Sequence, residues 1–163
     1  MIRGSADLRS VDAVFRRLTP SQLTADIAFG LLWALFGALV AGSLGVVALA
    51  NVVVLLLSAA FALRRLSPGL ALAIAWAGAL LQVAMGLGPA LFDAPIFAVV
   101  YATAAYGERL VRMLGLISAP VGAAVIAVAQ LFSDRARWGD PVSFASLVLP
   151  AAVWGAVTTF VTF

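Results

Sequence analysis

The side chains able to do chemistry in this chain are few, and long apolar runs keep them apart. Histidine and cysteine are both absent. Their absence removes the commonest general base, the commonest metal ligand, any phosphohistidine and any thiolate or disulfide chemistry within these residues. Of the polar groups that remain, those in or at the edges of the apolar runs are Asn51, Gln82, Gln130, several Ser and Thr, and the interfacial acids Asp26, Asp93 and Glu108. Each lies inside or beside an apolar run, where a polar group costs free energy unless it is paired. Asn51 and Gln82 fall near the outer ends of their runs. With Asp93 they either line an outward-facing ligand pocket or form interhelical hydrogen bonds of about 1 kcal/mol each, and the second reading is the simpler. Gln130 is a candidate of the same kind. Asp26, Arg64, Arg65, Glu108, Arg109 and Arg112 make an inner-face charge cluster. Within it Asp26 lies at the depth of Arg64 or Arg65, while Glu108 beside Arg109 reads as a solvated interfacial group. No catalytic residue, metal site or cofactor is expected.

The elements that hold these groups are set by composition. Hydrophobic residues make up 64% of the chain and charged residues 10%, too few charges to cover the apolar surface in water. The reading is an all-α, polytopic membrane helix bundle. A tail over 1–25 precedes six spans at about 26–44, 46–63, 70–86, 89–107, 113–132 and 142–163. Arg3, Arg9, Arg16, Arg17, Arg64, Arg65, Arg109 and Arg112 fall on one side of this threading, and Arg135 and Arg137 on the other. Short basic loops stay cytoplasmic, so both termini are expected inside, in a multi-pass protein of the plasma (inner) membrane. The net charge of +3 reflects this placement and points to no nucleic acid.

Within the tail, Leu8, Val11, Phe15 and Leu18 recur at helical spacing between basic residues. That pattern suits an amphipathic helix over 5–18 in the headgroup layer, or else a solvated tail. Ser21 is a plausible cap for the first span. That span reads as an uncleaved anchor, because about 25 polar or mixed residues precede it. The fourth span is the weakest. Only Ala94 to Tyr106 is uninterrupted, so it starts near Pro89, with Asp93 close to the outer surface, or is re-entrant. The chain stops at Phe163 within apolar sequence and without a basic stop, which suggests a longer natural protein.

Small residues recur at four-residue steps: Gly37, Ala41 and Gly45, then Ala71, Ala75 and Ala79, then Gly115, Ala119, Ala123 and Ala127. Such ridges let helices approach closely, within one chain or across a dimer. Pro120 and Pro150 should bend the fifth and sixth spans. Trp138 reads as an interface anchor, and Trp33, Trp76 and Trp154 as packing residues. No ladder of buried acids, no repeated pair of broken helices and no filter sequence is present, which argues against a proton pathway, a secondary transporter or a channel.

One arrangement resembles a known family. The second span ends Ala62-Leu63-Arg64-Arg65-Leu66-Ser67-Pro68, and the third closes with Leu81-Gln82. A Gly-Pro loop and an acid follow, then a helix ending Tyr101-Ala102-Thr103-Ala104-Ala105-Tyr106-Gly107-Glu108-Arg109. This resembles the N-terminal membrane region of actinobacterial two-component sensor histidine kinases of the nitrate-sensor and lipid-sensor type, from Asp26 onward. The resemblance implies a homodimer that relays a membrane or lipid-soluble stimulus to a cytoplasmic kinase, and through that kinase to a response regulator. The chain itself carries no phosphoacceptor histidine and no ATP-binding domain, so it is not expected to be an enzyme alone. The competing reading is a small membrane scaffold or accessory subunit that docks a partner through the same small-residue faces. A lipid-directed enzyme or transporter using Gln82, Asp93 and Glu108 is a third reading, disfavoured because Asp93 and Glu108 fall on opposite faces.

Overall fold

The local chemistry of the turns decides where each helix begins and ends. The computed structural model describes residues 15–16, 18–43, 47–88 and 90–132, and every regular element among them is helical. In chain order these are α1 (Pro20–Ser43), α2 (Val47–Leu63), α3 (Pro68–Ala84), a 3-10 turn (Leu91–Asp93), α4 (Pro95–Tyr106) and α5 (Arg109–Phe132).

Helix α1 starts six residues before the expected first span. Thr19 and Gln22 form a reciprocal cap: the Gln22 N–H donates to Thr19 Oγ1 at 3.4 Å, and the Thr19 N–H to Gln22 Oε1 at 3.2 Å. This capping box puts Pro20 in the first helical position, where its missing N–H costs nothing. Ser21 therefore lies inside the helix and is not its cap. In α3, Pro68 likewise follows the N-cap Ser67. The other end of α3 is closed by a Schellman motif. Leu87 N–H donates to the Gln82 carbonyl and Gly86 N–H to that of Val83, both at 3.0 Å, with Gly86 at φ +65°. Helix α5 begins at Arg109, four residues earlier than expected, so Arg109 and Arg112 belong to its first turn.

Among the described residues two helices are long and apolar enough to cross a membrane, Pro20–Gly42 and Arg109–Ile126, where five of the six expected spans fall. The caps at Ser67 and Gly86 bound α3, and Gly107 ends α4. The 17 residues of α2 or α3 rise about 25 Å, and the 12 of α4 about 18 Å, against roughly 30 Å of hydrocarbon. Phe15, Arg16 and Leu18 are not helical. Arg16 N–H instead donates to the Leu66 carbonyl at 2.8 Å, which ties this segment to the α2–α3 turn. The rest of the proposed amphipathic helix, Gly45, the 142–163 span, Trp138 and Trp154 lie outside the described residues.

Helix α2 is the hub, packed against α1, α3 and α4. Val53, Val54, Leu57 and Ala60 meet Ala71, Leu72, Ala75, Phe92 and Val99 in one core. The α1–α2 approach is close because α1 presents glycine there. A Cβ on Gly30 would lie 2.9 Å from Ala62 Cβ, and one on Gly37 would lie 2.6 Å from Val54 Cγ1. The buried ridge of α3 is Ala71, Ala75, Gly78 and Gln82, not the pure four-residue ladder through Ala79. A helix of 3.6 residues per turn drifts off any strict four-step line, so the contact face alternates steps of four and three. In α5, Gly115 and Ala119 are buried, while Ala123 is half-buried.

The outward surface of α1 reverses the soluble pattern. Asp26, Gly30, Gly37 and Ala41 face the bundle. Leu31, Leu32, Leu35 and Leu39 are each 61–67% exposed.

Candidate functional site

Polar side chains gather at two levels, and helix rise sets the distance between them. At the first level, α1 carries Asp26 on its bundle-facing side, and the end of α2 delivers Arg64 to it. Arg64 Nη2 lies 3.0 Å from Asp26 Oδ1, and Arg65 Nε lies 3.8 Å from the same oxygen. The Asp26 side chain is 2% exposed and that of Arg64 12%. Arg64 Nη1 also donates to the Phe61 carbonyl at 2.7 Å, and its guanidinium stacks 3.7 Å from the Phe61 ring centroid. Burial lowers the Arg64 pKa, and the Asp26 carboxylate pushes back. A guanidinium stays charged at neutral pH, so this is a buried ion pair. Asp26 Oδ2 is buried with no hydrogen-bond partner among the described residues.

The same end collects other basic groups. The Arg16 guanidinium sits 4.8 Å from the Tyr106 ring centroid, at the end of α4. Arg112 Nη2 donates to the Gly107 carbonyl at 3.5 Å, a long contact. Glu108, Arg109 and Arg112 are exposed, and among the described residues none of the three forms an ion pair.

At the second level, Gln82 and Asp93 are brought together. Gln82 Nε2 donates to Asp93 Oδ2 and to the Gly88 carbonyl, both at 3.0 Å, and Ala90 N–H donates to Asp93 Oδ2 at 2.7 Å. These bonds tie the 3-10 turn to α3. Phe92 packs beside Gly37 and Val54, and Trp33 Nε1 donates to the Phe92 carbonyl at 3.2 Å. Gly37 lies eleven residues along α1 from Asp26, so the turn sits about 16 Å from the ion pair. This turn lies beside the C-terminal end of α3 and level with Gly37 of α1. The short α4 begins partway along α1, because Gln82 and Trp33 hold the turn down. Asn51 Oδ1 and Asp93 Oδ1 are buried without hydrogen-bond partners among the described residues, and no hydrogen bond joins Asn51 to Gln82 or Asp93. The Gln130 side chain lies outside the described residues.

The sequence reading missed two interhelical contacts. Trp76 Nε1 donates to Ser118 Oγ at 2.8 Å, and Ser118 Oγ donates to the Leu114 carbonyl at 2.7 Å. Thr103 is fully buried, with Oγ1 donating to the Val100 carbonyl at 2.7 Å and packed directly against Gly115. The available signal was general: an indole N–H away from water needs an acceptor. On the lateral surface, Phe29, Leu32, Trp33, Phe36, Phe61 and Pro95 line an open apolar groove of about 410 Å³.

This set of groups contains interhelical ties and an ion pair, and among the described residues no cluster suited to holding a metal. The chain belongs to the family described as a domain of unknown function (DUF7134), whose model matches residues 14–160. No curated protein and no solved structure matches the chain.

Proposed function

We propose that this chain is a membrane-embedded sensing and signal-transmitting region, resembling that of a two-component sensor histidine kinase. It relays a membrane or lipid-soluble stimulus to a cytoplasmic kinase outside this chain, acts as a homodimer and sits in the plasma membrane with both termini cytoplasmic. One observation carries the membrane part: α1 buries an acid, two glycines and an alanine while turning leucines outward. Water penalises that arrangement, and hydrocarbon favours it, because small residues permit close helix packing while lipid solvates the leucines. In this reading α1 and α5 cross the bilayer. Helices α2 and α3 are shorter crossings accommodated by tilt or local thinning, each costing fractions of a kcal/mol per Å of mismatch. Helix α4 descends from the turn held by Gln82 and Asp93. Irregular backbone at that depth is tolerable because it is packed in protein.

The relay is mechanical. Helix α5 rests on α4 through Gly115 and on α3 through Trp76–Ser118, with Ala119 buried and Pro120 just beyond. A stimulus that favours one of two packings of these faces shifts the tilt of α5, and it must interact unequally with the two to do so. The aromatic groove beside Trp33 faces the bilayer, where a lipid-soluble stimulus would arrive.

Two measurements test the proposal. Reading the gene downstream of the Phe163 codon should reveal a helical linker and a histidine-bearing kinase; a stop codon there favours the scaffold or accessory subunit instead. In vesicles of short-chain and long-chain phosphatidylcholine, autophosphorylation of the full protein should differ, and Gly115→Leu or Ala119→Leu should abolish the difference. An unchanged response in both variants contradicts the mechanism.

A further inference from the structure

The first turn of α5 joins two features that the relay does not use. Arg109 and Arg112 are exposed one turn apart, and among the described residues neither has a carboxylate within 4.0 Å. The guanidinium of Arg112 has only the long contact to the Gly107 carbonyl. From the same turn a stripe of large apolar side chains runs up the helix: Leu110, Met113, Leu114, Ile117 and Val121, each 43–69% exposed. Their spacing of three and four places them on one face. Gly115 and Ala119, which pack against the bundle, occupy the other. The neighbouring turns add positive charge. A Cβ on Gly69, at the start of α3, would lie 3.4 Å from Val111, which brings the α2–α3 turn beside the start of α5. Of the two carboxylates among the described residues at this end, Asp26 is taken up by Arg64, and Glu108 stands exposed. Arg65 is bound to Asp26 only at 3.8 Å and is 38% exposed.

We propose that the start of α5 is a binding site for an anionic phospholipid of the cytoplasmic leaflet. Its phosphate is held by Arg109 and Arg112, and its acyl chains lie along the Leu110–Val121 stripe. Charge complementarity selects the headgroup, and Arg109, one turn below Met113 on the edge of the apolar stripe, joins the charge to the apolar face and selects a lipid over a free anion. Juxtamembrane arginines of this kind favour anionic over zwitterionic lipid, by roughly 5-fold each. Bound lipid would brace the helix that carries the relay, so the proposal rests on the membrane reading above.

The test uses the full chain purified in detergent, with lipid retention followed by native mass spectrometry after addition of phosphatidylglycerol or phosphatidylcholine. Wild type should retain phosphatidylglycerol preferentially. Arg109→Gln/Arg112→Gln should lower that retention by about 20- to 30-fold and leave phosphatidylcholine unchanged. Arg109→Lys/Arg112→Lys should keep most of the preference, which separates loss of charge from loss of fold. Equal retention of the two lipids by wild type, or an unaltered preference in the Gln variant, overturns the site. So does displacement of the lipid by millimolar inorganic phosphate, which would mark a phosphate site. A chain that stays monodisperse without detergent sinks the membrane reading itself, an outcome distinct from a detergent-bound chain with no lipid preference.

Discussion

Replacing Gly115 by alanine adds one methyl group where α5 touches α4, and the structure sets what that costs. The new Cβ would overlap the hydroxyl of Thr103 and lie 2.8 Å from Thr103 Cβ. Thr103 cannot swing aside, because it is fully buried and its hydroxyl is held by the Val100 carbonyl at 2.7 Å. The helices must therefore separate, at about 1–3 kcal/mol for overpacking of this size. Alanine for glycine also helps a helix interior by roughly 0.5–1 kcal/mol. Gly122 supplies the control, since it lies on the same helix and a Cβ there meets nothing within 4 Å. Gly122→Ala should stabilise the protein and Gly115→Ala should not. Their difference of about 1–3 kcal/mol isolates the strain. Reversible unfolding in mixed micelles, followed by circular dichroism and tryptophan fluorescence, measures both. Thr103→Ala should recover part of the loss in the Gly115→Ala background. Equal stability of the two glycine variants would refute the close α4–α5 contact.

Three further outcomes follow from the polar clusters. Asp26→Ala strands the Arg64 guanidinium in a buried site and should cost about 3–5 kcal/mol, whereas the paired change Asp26→Leu/Arg64→Met should be near neutral. The same unfolding titration checks both. Arg65→Gln should cost under about 1 kcal/mol, because its contact is long and partly solvated; a loss as large as that of Asp26→Ala would mean Arg65 is the true partner. Gln82→Met removes the donor to Asp93 and Gly88 and should cost about 1–3 kcal/mol. It should also speed hydrogen exchange at the Ala90 N–H far more than at Val54, and equal rates would show that the turn is held by something else.

Much of the helical layout is legible from apolar periodicity and from turn residues such as Ser67-Pro68 and Gly86. Boundaries are less so, because they depend on which of two neighbouring hydroxyls caps a helix. Thr19 wins over Ser21 through its pairing with Gln22, a three-residue spacing visible in the sequence once sought. Asp26 and Arg64 stand out as opposite charges at equal depth, and they lie 3.0 Å apart. The contacts that hold the Asp93 turn are not legible, since Trp33 and Gln82 act across the bundle on a turn that shares no sequence pattern with them. The Thr103–Gly115 contact is hidden for the same reason: a small-residue ridge announces that something approaches closely, without saying what. Helix length is the hardest to read, because apolar length counts residues that caps later remove from the helix.

The central claim is that lipid solvates the outward leucines of α1, and the absence of native cysteine makes it directly measurable. Leu35→Cys, Glu108→Cys and Gly88→Cys place single thiols at three exposed positions, to be probed in intact cells and in opened vesicles with a membrane-impermeant maleimide. The account predicts labelling of Gly88→Cys from outside and of Glu108→Cys only after opening. Leu35→Cys should stay unlabelled until the protein is unfolded in detergent, although Leu35 is 62% exposed. Rapid labelling of Leu35→Cys in the native membrane, or of Glu108→Cys from outside sealed cells, would contradict it.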